Sequence, residues 1–252
     1  MIDYGVIILP VIPMRESASH KSEMISQLIF GESIVVINET PDWVFVRNFA
    51  DNYEGWIERK QLLIITEPEF DRWNQLKKQT IGNTTETVFC ENSKTSISLP
   101  AGAKIPFEFA FKMGSLSFSH SLSIEPQTEL SAISKKFLNA PYLWGGKSFM
   151  GFDCSGFTQT VFKIINIDLP RDASQQADEG LVVDFLEEVQ SGDLAFFHNA
   201  EGKITHVGIL LSPSEIIHCS GSVRINIIDH HGIFNQASGT YTHELRVIKR
   251  IR

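Results

Sequence analysis

Gly151-Phe152-Asp153-Cys154-Ser155-Gly156-Phe157-Thr158-Gln159-Thr160-Val161-Phe162-Lys163-Ile164-Ile165 sets a cysteine at the start of a helix. Phe157, Val161, Ile164 and Ile165 recur at helical spacing, and Asp168-Leu169-Pro170 predicts the stop. Asp153 is the predicted N-cap, which puts Cys154 in the first turn. A helix start carries a partial positive charge and unpaired N–H groups. Both favour a thiolate, so the sequence predicts a lowered pKa and a nucleophile at Cys154. The alternative is a buried structural cysteine.

Upstream, residues 130–138 have helical spacing, with Leu130, Ile133, Phe137 and Leu138 on one face, and a glycine-rich loop Trp144-Gly145-Gly146 follows. Downstream of Gly192-Asp193 the pattern changes to strands at 194–198, 204–211, 215–219 and 223–228. Helices first and antiparallel strands second predict an α+β domain. His206 and His218 lie on two of these strands, joined by Ser212-Pro213-Ser214. Their positions differ by an even number, so a hairpin puts both on one face, about 5–8 Å apart. His206 is then a candidate general base and His218 the group that orients it. Two satisfied sheet histidines remain an alternative, as does a metal pair with Cys154 or Cys219, which would need further ligands. His198, His230 and His231 fall near turns and are expected to be exposed; His20, His120 and His243 carry no usable signal.

Residues 1–66 read as short strands at 32–37, 43–47 and 55–57, rich in β-branched and aromatic residues, and suggest a small β-barrel. Residues 67–125 are expected to hold a linker with one helical turn over 67–82, then a second, degenerate barrel. Residues 126–252 form the α+β domain. The chain has 252 residues, 42% apolar and 21% charged, enough for packed cores. A net charge of −8 argues against nucleic acid or an anionic membrane as partner. Cys90, Cys154 and Cys219 are an odd number without a CxxC pair, which argues against a disulfide framework and for reduced thiols. No secretory leader and no membrane-length apolar run is evident, so a cytoplasmic setting is expected, or a periplasmic or extracellular one had a leader been removed.

The ordered set Tyr142-Leu143-Trp144-Gly145-Gly146, Asp153-Cys154-Ser155-Gly156, Leu169-Pro170-Arg171-Asp172, Gly192-Asp193-Leu194 and His206-Val207-Gly208-Ile209 resembles the catalytic domain of NlpC-type cysteine peptidases. The resemblance implies a papain-like fold and a Cys–His–polar triad of Cys154, His206 and His218. The amino-terminal region is similar to the bacterial SH3-like domains of a subgroup that cuts after L-Ala-γ-D-Glu, through Ser22-Glu23-Met24, Gln27, Phe30-Gly31-Glu32 and Asp51-Asn52-Tyr53-Glu54-Gly55-Trp56-Ile57.

That likeness implies hydrolysis of the bond between γ-D-glutamate and meso-diaminopimelate or lysine in murein peptides with a free N-terminal L-Ala. Glu23, Tyr53 and Asp153 are candidates for the amine, and Ser155 and Arg171 for the D-glutamate carboxylate. Trp144 is expected to line the cleft. Plainer roles compete: an N-cap for Asp153, a core aromatic for Tyr53, a solvated charge for Glu23, a local salt bridge to Asp172 for Arg171 and packing for Trp144. No cofactor and no metal is expected, the partner is the murein peptide, and the chain is expected to act as a monomer. Rival readings are another amidase or acyl-transferase on the same fold, or a non-catalytic wall-binding protein.

Overall fold

The computed structural model describes residues 3–122 and 129–251. The boundary expected at 125/126 lies outside them. The chain divides into two compact units, residues 1–126 with 163–168, and residues 127–162 with 169–252. No helix among the described residues is long and apolar enough to cross a membrane.

In the first unit seven strands form one sheet in the order Met24–Ile29, Val11–Arg15, Glu54–Glu58, Trp43–Asn48, Ser33–Glu39, Asp3–Val6, Leu63–Ile65. Alternation buries one face: in Trp43–Asn48 it carries Val44, Val46 and, at the end, Asn48. Gly31 turns the chain at φ +85°, where a Cβ would meet the Lys104 carbonyl oxygen at 2.3 Å.

Residues 67–75 differ from the expected linker. They form the helix Glu67–Gln75, opened by a capping box in which Glu69 receives the Thr66 N–H and hydroxyl, both at 2.8 Å. Phe70 and Trp73 on its buried face enter a core shared with Val6, Ile29, Phe30 and Ile65 on one side and Val88 and Phe118 on the other. Trp73 Nε1–H donates to Gly31 O at 2.9 Å. The strands after this helix form a four-stranded sheet and a separate pair.

The second unit has the helices Leu130–Lys135, Cys154–Ile164 and Ala173–Gln176, followed by strands. The expected strands at 194–198, 204–211, 215–219 and 223–228 are present as Leu194–His198, Ile204–Ser212, Glu215–Ser220 and Ser222–Ile228. They are not an open sheet. Gly232–Asn235 and Thr240–Arg250 continue the order, and Thr240–Arg250 pairs back with Leu194–His198. The six strands close into an antiparallel barrel, with Leu181–Val183 added at its side. The domain is α+β in element order and mostly sheet in content.

Closure needs Gly232. At φ +140° it sits where a Cβ would lie 1.9 Å from the His243 carbonyl oxygen. Gly232→Ala is therefore expected to open the seam between the last two strands and to lower stability by roughly 1–3 kcal/mol. Chemical unfolding followed by far-UV circular dichroism measures this, and an unchanged midpoint would refute it.

Candidate active site

The helix Cys154–Ile164 begins at Cys154 because Asp153 caps it. Asp153 Oδ1 accepts the Gly156 N–H at 2.6 Å, and Oδ2 accepts the Gly145 N–H at 2.9 Å. Arg171 grips both oxygens, at 3.1 and 2.5 Å, and also donates to Ser155 Oγ at 2.9 Å. Arg171 is 1% exposed. Gln176 adds bonds from its amide to the carbonyls of Ser155 and Pro170. Asp153, expected with Glu23 and Tyr53 at the amine, is instead joined to Ser155 and Arg171, expected at the carboxylate, and the three are partners of one another in a buried strut under the Cys154 turn. The local pairing weighed for Arg171 exists with Asp153 and not with Asp172, which caps the helix Ala173–Gln176.

The Cys154 sulfur lies beside the strand that carries His206. It stands 4.0 Å from Thr205 O, and the Val207 N–H favours its anion. Thr205 is the extra residue of a β-bulge, because pairing passes from Phe197↔His206 to His198↔Ile204. A bulge re-aims the side chain that follows it, here His206. No sequence signal marked this bulge.

His206 and His218 are joined as the even spacing predicts. His206 Nε2 is 2.8 Å from His218 Nδ1, with ring centroids 5.1 Å apart. The residue directly opposite His218 is Gly208, so the histidines meet on the diagonal. Gly208 keeps that space open, since a Cβ would stand 2.8 Å from His218 Cβ and 2.7 Å from Ile216 Cδ1. The same diagonal recurs one strand on, where Arg224 is opposite His218 but Asn226 Oδ1 lies 3.0 Å from His218 Nε2. An amide oxygen only accepts, so His218 Nε2 carries the hydrogen and Nδ1 has the lone pair. His206 Nε2–H therefore donates to His218, and His206 Nδ1 is left as the basic nitrogen. Two ring nitrogens 2.8 Å apart leave no room for a metal ion between them. Among the described residues no three His, Cys, Asp or Glu side chains are arranged to hold one.

The charge states differ from the sequence expectation. Burial, and after it the Asp153 carboxylate, push the Cys154 thiol up to about 11, against the opposing pull of the Val207 and Ser155 N–H groups and of Arg171. Burial holds His206 well below the ordinary imidazole range, with His218, His243 and Arg224 adding to it. Burial also brings His218 down to about 4, although the bond to Asn226 favours its charged form. Burial thus disfavours both the thiolate and the imidazolium, and the Cys154 shift runs opposite to the lowered pKa that the helix start predicts.

Tyr142 was quoted in the motif but not assigned a role. Burial first, then Cys154, Asp153 and Cys219, push its phenol up to about 12, which places a protonated hydroxyl among these groups. Cys219 donates to Phe152 O at 3.2 Å, and burial raises its thiol to about 12. Trp144 is 59% exposed on the loop beside Gly145. Asn226 was missed too, although it follows His218 by an even number across the turn at Gly221 and a hairpin reading would have found it. His243, which lacked any sequence signal, stacks on His206. Glu23 and Tyr53 belong to the first unit. Glu23 is exposed at the start of the strand Met24–Ile29, and Tyr53 packs half-buried against that unit's core.

Residues 139–243 match the NlpC/P60 family, and residues 14–62 match the bacterial dipeptidyl-peptidase Sh3 domain. A gamma-D-glutamyl-L-lysine dipeptidyl-peptidase of Bacillus subtilis is 31% identical over 216 residues, 77% of this chain and 71% of that one. A protein of the same name from Bacillus cereus is 28% identical over 257 residues, 88% and 75% of the two chains. The fold agrees with the crystal structure of an NlpC/P60 family protein from Bacillus cereus, at a TM-score of 0.82 and 21% identity over 98% of this chain and 99% of the other. Identity sustained over most of both sequences settles the kinship: the chain belongs to the NlpC/P60 family, and it is a cysteine-type hydrolase that carries a bacterial SH3 domain.

Proposed function

We propose that this peptidase hydrolyses the bond between γ-D-glutamate and a diamino acid, meso-diaminopimelate or lysine, in murein peptides whose N-terminal L-Ala is free. The observation that carries the chemistry is the relay Asn226–His218–His206, which leaves one basic imidazole nitrogen on the strand where the sulfur rests. The substrate class is supported by the names of the two Bacillus relatives and by the Sh3 domain match.

In this reading His206 Nδ1 takes the thiol proton as the Cys154 sulfur attacks the γ-carbonyl carbon. Burial disfavours both charges of an ion pair at rest, which favours general-base transfer. The Cys154 N–H, at the first helical position, lies outside the intrahelical ladder and is available to the developing oxyanion. The Tyr142 hydroxyl keeps its proton at neutral pH and has the chemistry of a second donor. The His206 imidazolium then gives its proton to the leaving amine of the diamino acid. Water, deprotonated by His206, attacks the thioester and releases L-Ala-D-Glu, returning the proton to sulfur.

Cys154→Ala should lower hydrolysis of L-Ala-γ-D-Glu-meso-diaminopimelate by roughly 10³-fold or more while the peptide still binds. Turnover measured by chromatography at or near the unsubstituted rate would remove Cys154 from the mechanism. Acetylating the N-terminus of the same peptide should lower kcat/KM by roughly 10²-fold or more, the loss of a recognised cation. Equal cleavage of free and acetylated peptides would end the free-amine requirement. Gly208→Ala pushes on His218 and should lower kcat by about 10- to 100-fold with little change in KM. An unaltered kcat would show that the diagonal contact does not orient the base.

A further inference from the structure

His243 takes no part in the relay, yet its ring lies over that of His206, with centroids 4.2 Å apart and planes inclined by 30°. The same ring is 5.7 Å from His218 and 5.9 Å from Phe197. Its Nδ1 is fixed 2.9 Å from Thr242 Oγ1. His243 reaches this place from Thr240–Arg250, the strand that closes the barrel. Pairing there passes from Ile233↔His243 to Phe234↔Tyr241, so Thr242 is the extra residue of a bulge. Each of the two stacked histidines thus follows a bulged threonine, Thr205 or Thr242.

We propose that His243 is a positioning residue for the catalytic base, stacking on His206 when neutral and opposing its imidazolium when protonated. The inference rests on His206 acting as the base. A neutral ring beside His206 fixes its plane and offers a π face to the imidazolium formed during attack. A protonated ring presents a like charge to the same imidazolium and disfavours it.

The titratable and charged groups facing His243 are His206 on Ile204–Ser212, His218 on Glu215–Ser220 and Arg224 on Ser222–Ile228. All three are cations or become cations in acid. Glu244, the next residue, alternates to the other face of its strand. Burial and then Arg224 hold His243 below the usual imidazole range. A proton on His243 disfavours one on His206 or His218, and the repulsion is mutual. Acid therefore sets like charges against one another across the ring contact with the base.

The test follows two rates against pH for the full chain and for His243→Phe and His243→Ala: alkylation of Cys154 by iodoacetamide, and hydrolysis of L-Ala-γ-D-Glu-meso-diaminopimelate. The unsubstituted protein should lose reactivity in acid more steeply than one protonation allows. H243F keeps a stacked ring without a charge, so its acid limb should become shallower, with the slope of a single protonation. H243A should lose about tenfold in kcat at neutral pH with KM unchanged, and H243F should recover part of that loss. An acid limb of H243F superimposed on that of the unsubstituted protein would overturn the proposal, as would equal neutral-pH losses in the two variants. Should neither variant fold, histidine NMR titration of the unsubstituted protein decides: His206 signals must sense the protonation of His243, and indifference to it overturns the proposal. Alkylation needs no peptide. The expected alkylation profiles without peptide hydrolysis would sustain the role of His243 and sink only the substrate reading.

Discussion

The hydrogen bond from His206 Nε2 to His218 Nδ1 is the constraint on which the proposed chemistry of this protein rests. Its direction fixes which nitrogen of His206 is basic, and that direction is itself set one strand further away by the acceptor oxygen of Asn226. A neutral hydrogen bond of this kind is worth only about 1 kcal/mol in net stability. Its weight lies in orientation. Three neighbouring strands each contribute one residue, and each pair meets on the same diagonal. Closure into a barrel holds the strands in register, so the relay depends on pairings far from the sulfur.

The other organising fact is electrostatic. A helix start of roughly half a positive charge ought to favour a thiolate at Cys154. That potential already has an anion: Asp153 accepts the Gly156 N–H and lies beside the sulfur. Arg171 cancels the carboxylate, so little net positive field remains for the sulfur. Burial then wins, and the thiol is pushed up rather than down. The capping residue that builds the helix start takes up the field that would have activated its first residue.

Much of this was legible in the sequence. Even spacing and a Ser-Pro-Ser turn sufficed to join His206 to His218, because strand alternation is a strict rule. The four strands of the hairpin series were marked by their β-branched runs. Thr240–Arg250 was not, because nearly every residue along it is at least partly exposed and its composition reads as polar. With that strand unseen, barrel closure and the stacking of His243 were unseen as well. The helix Glu67–Gln75 was legible in hindsight through Thr66 and Glu69. Ser155 and Arg171 were paired in the sequence reading but Asp153 was set apart from them, because a sequence does not say whether an arginine fork meets a ligand or a neighbour.

Asn226 ends the relay with an amide where a carboxylate could have stood. An amide of this kind holds a tautomer but takes up no proton at any ordinary pH. His218, brought down to about 4, is almost as unwilling. In the proposed mechanism a proton leaving sulfur therefore has one resting place, the imidazole of His206. In the proposed cycle such a cluster behaves as a single-berth dock: the departing amine must empty it before a molecule of water can be activated.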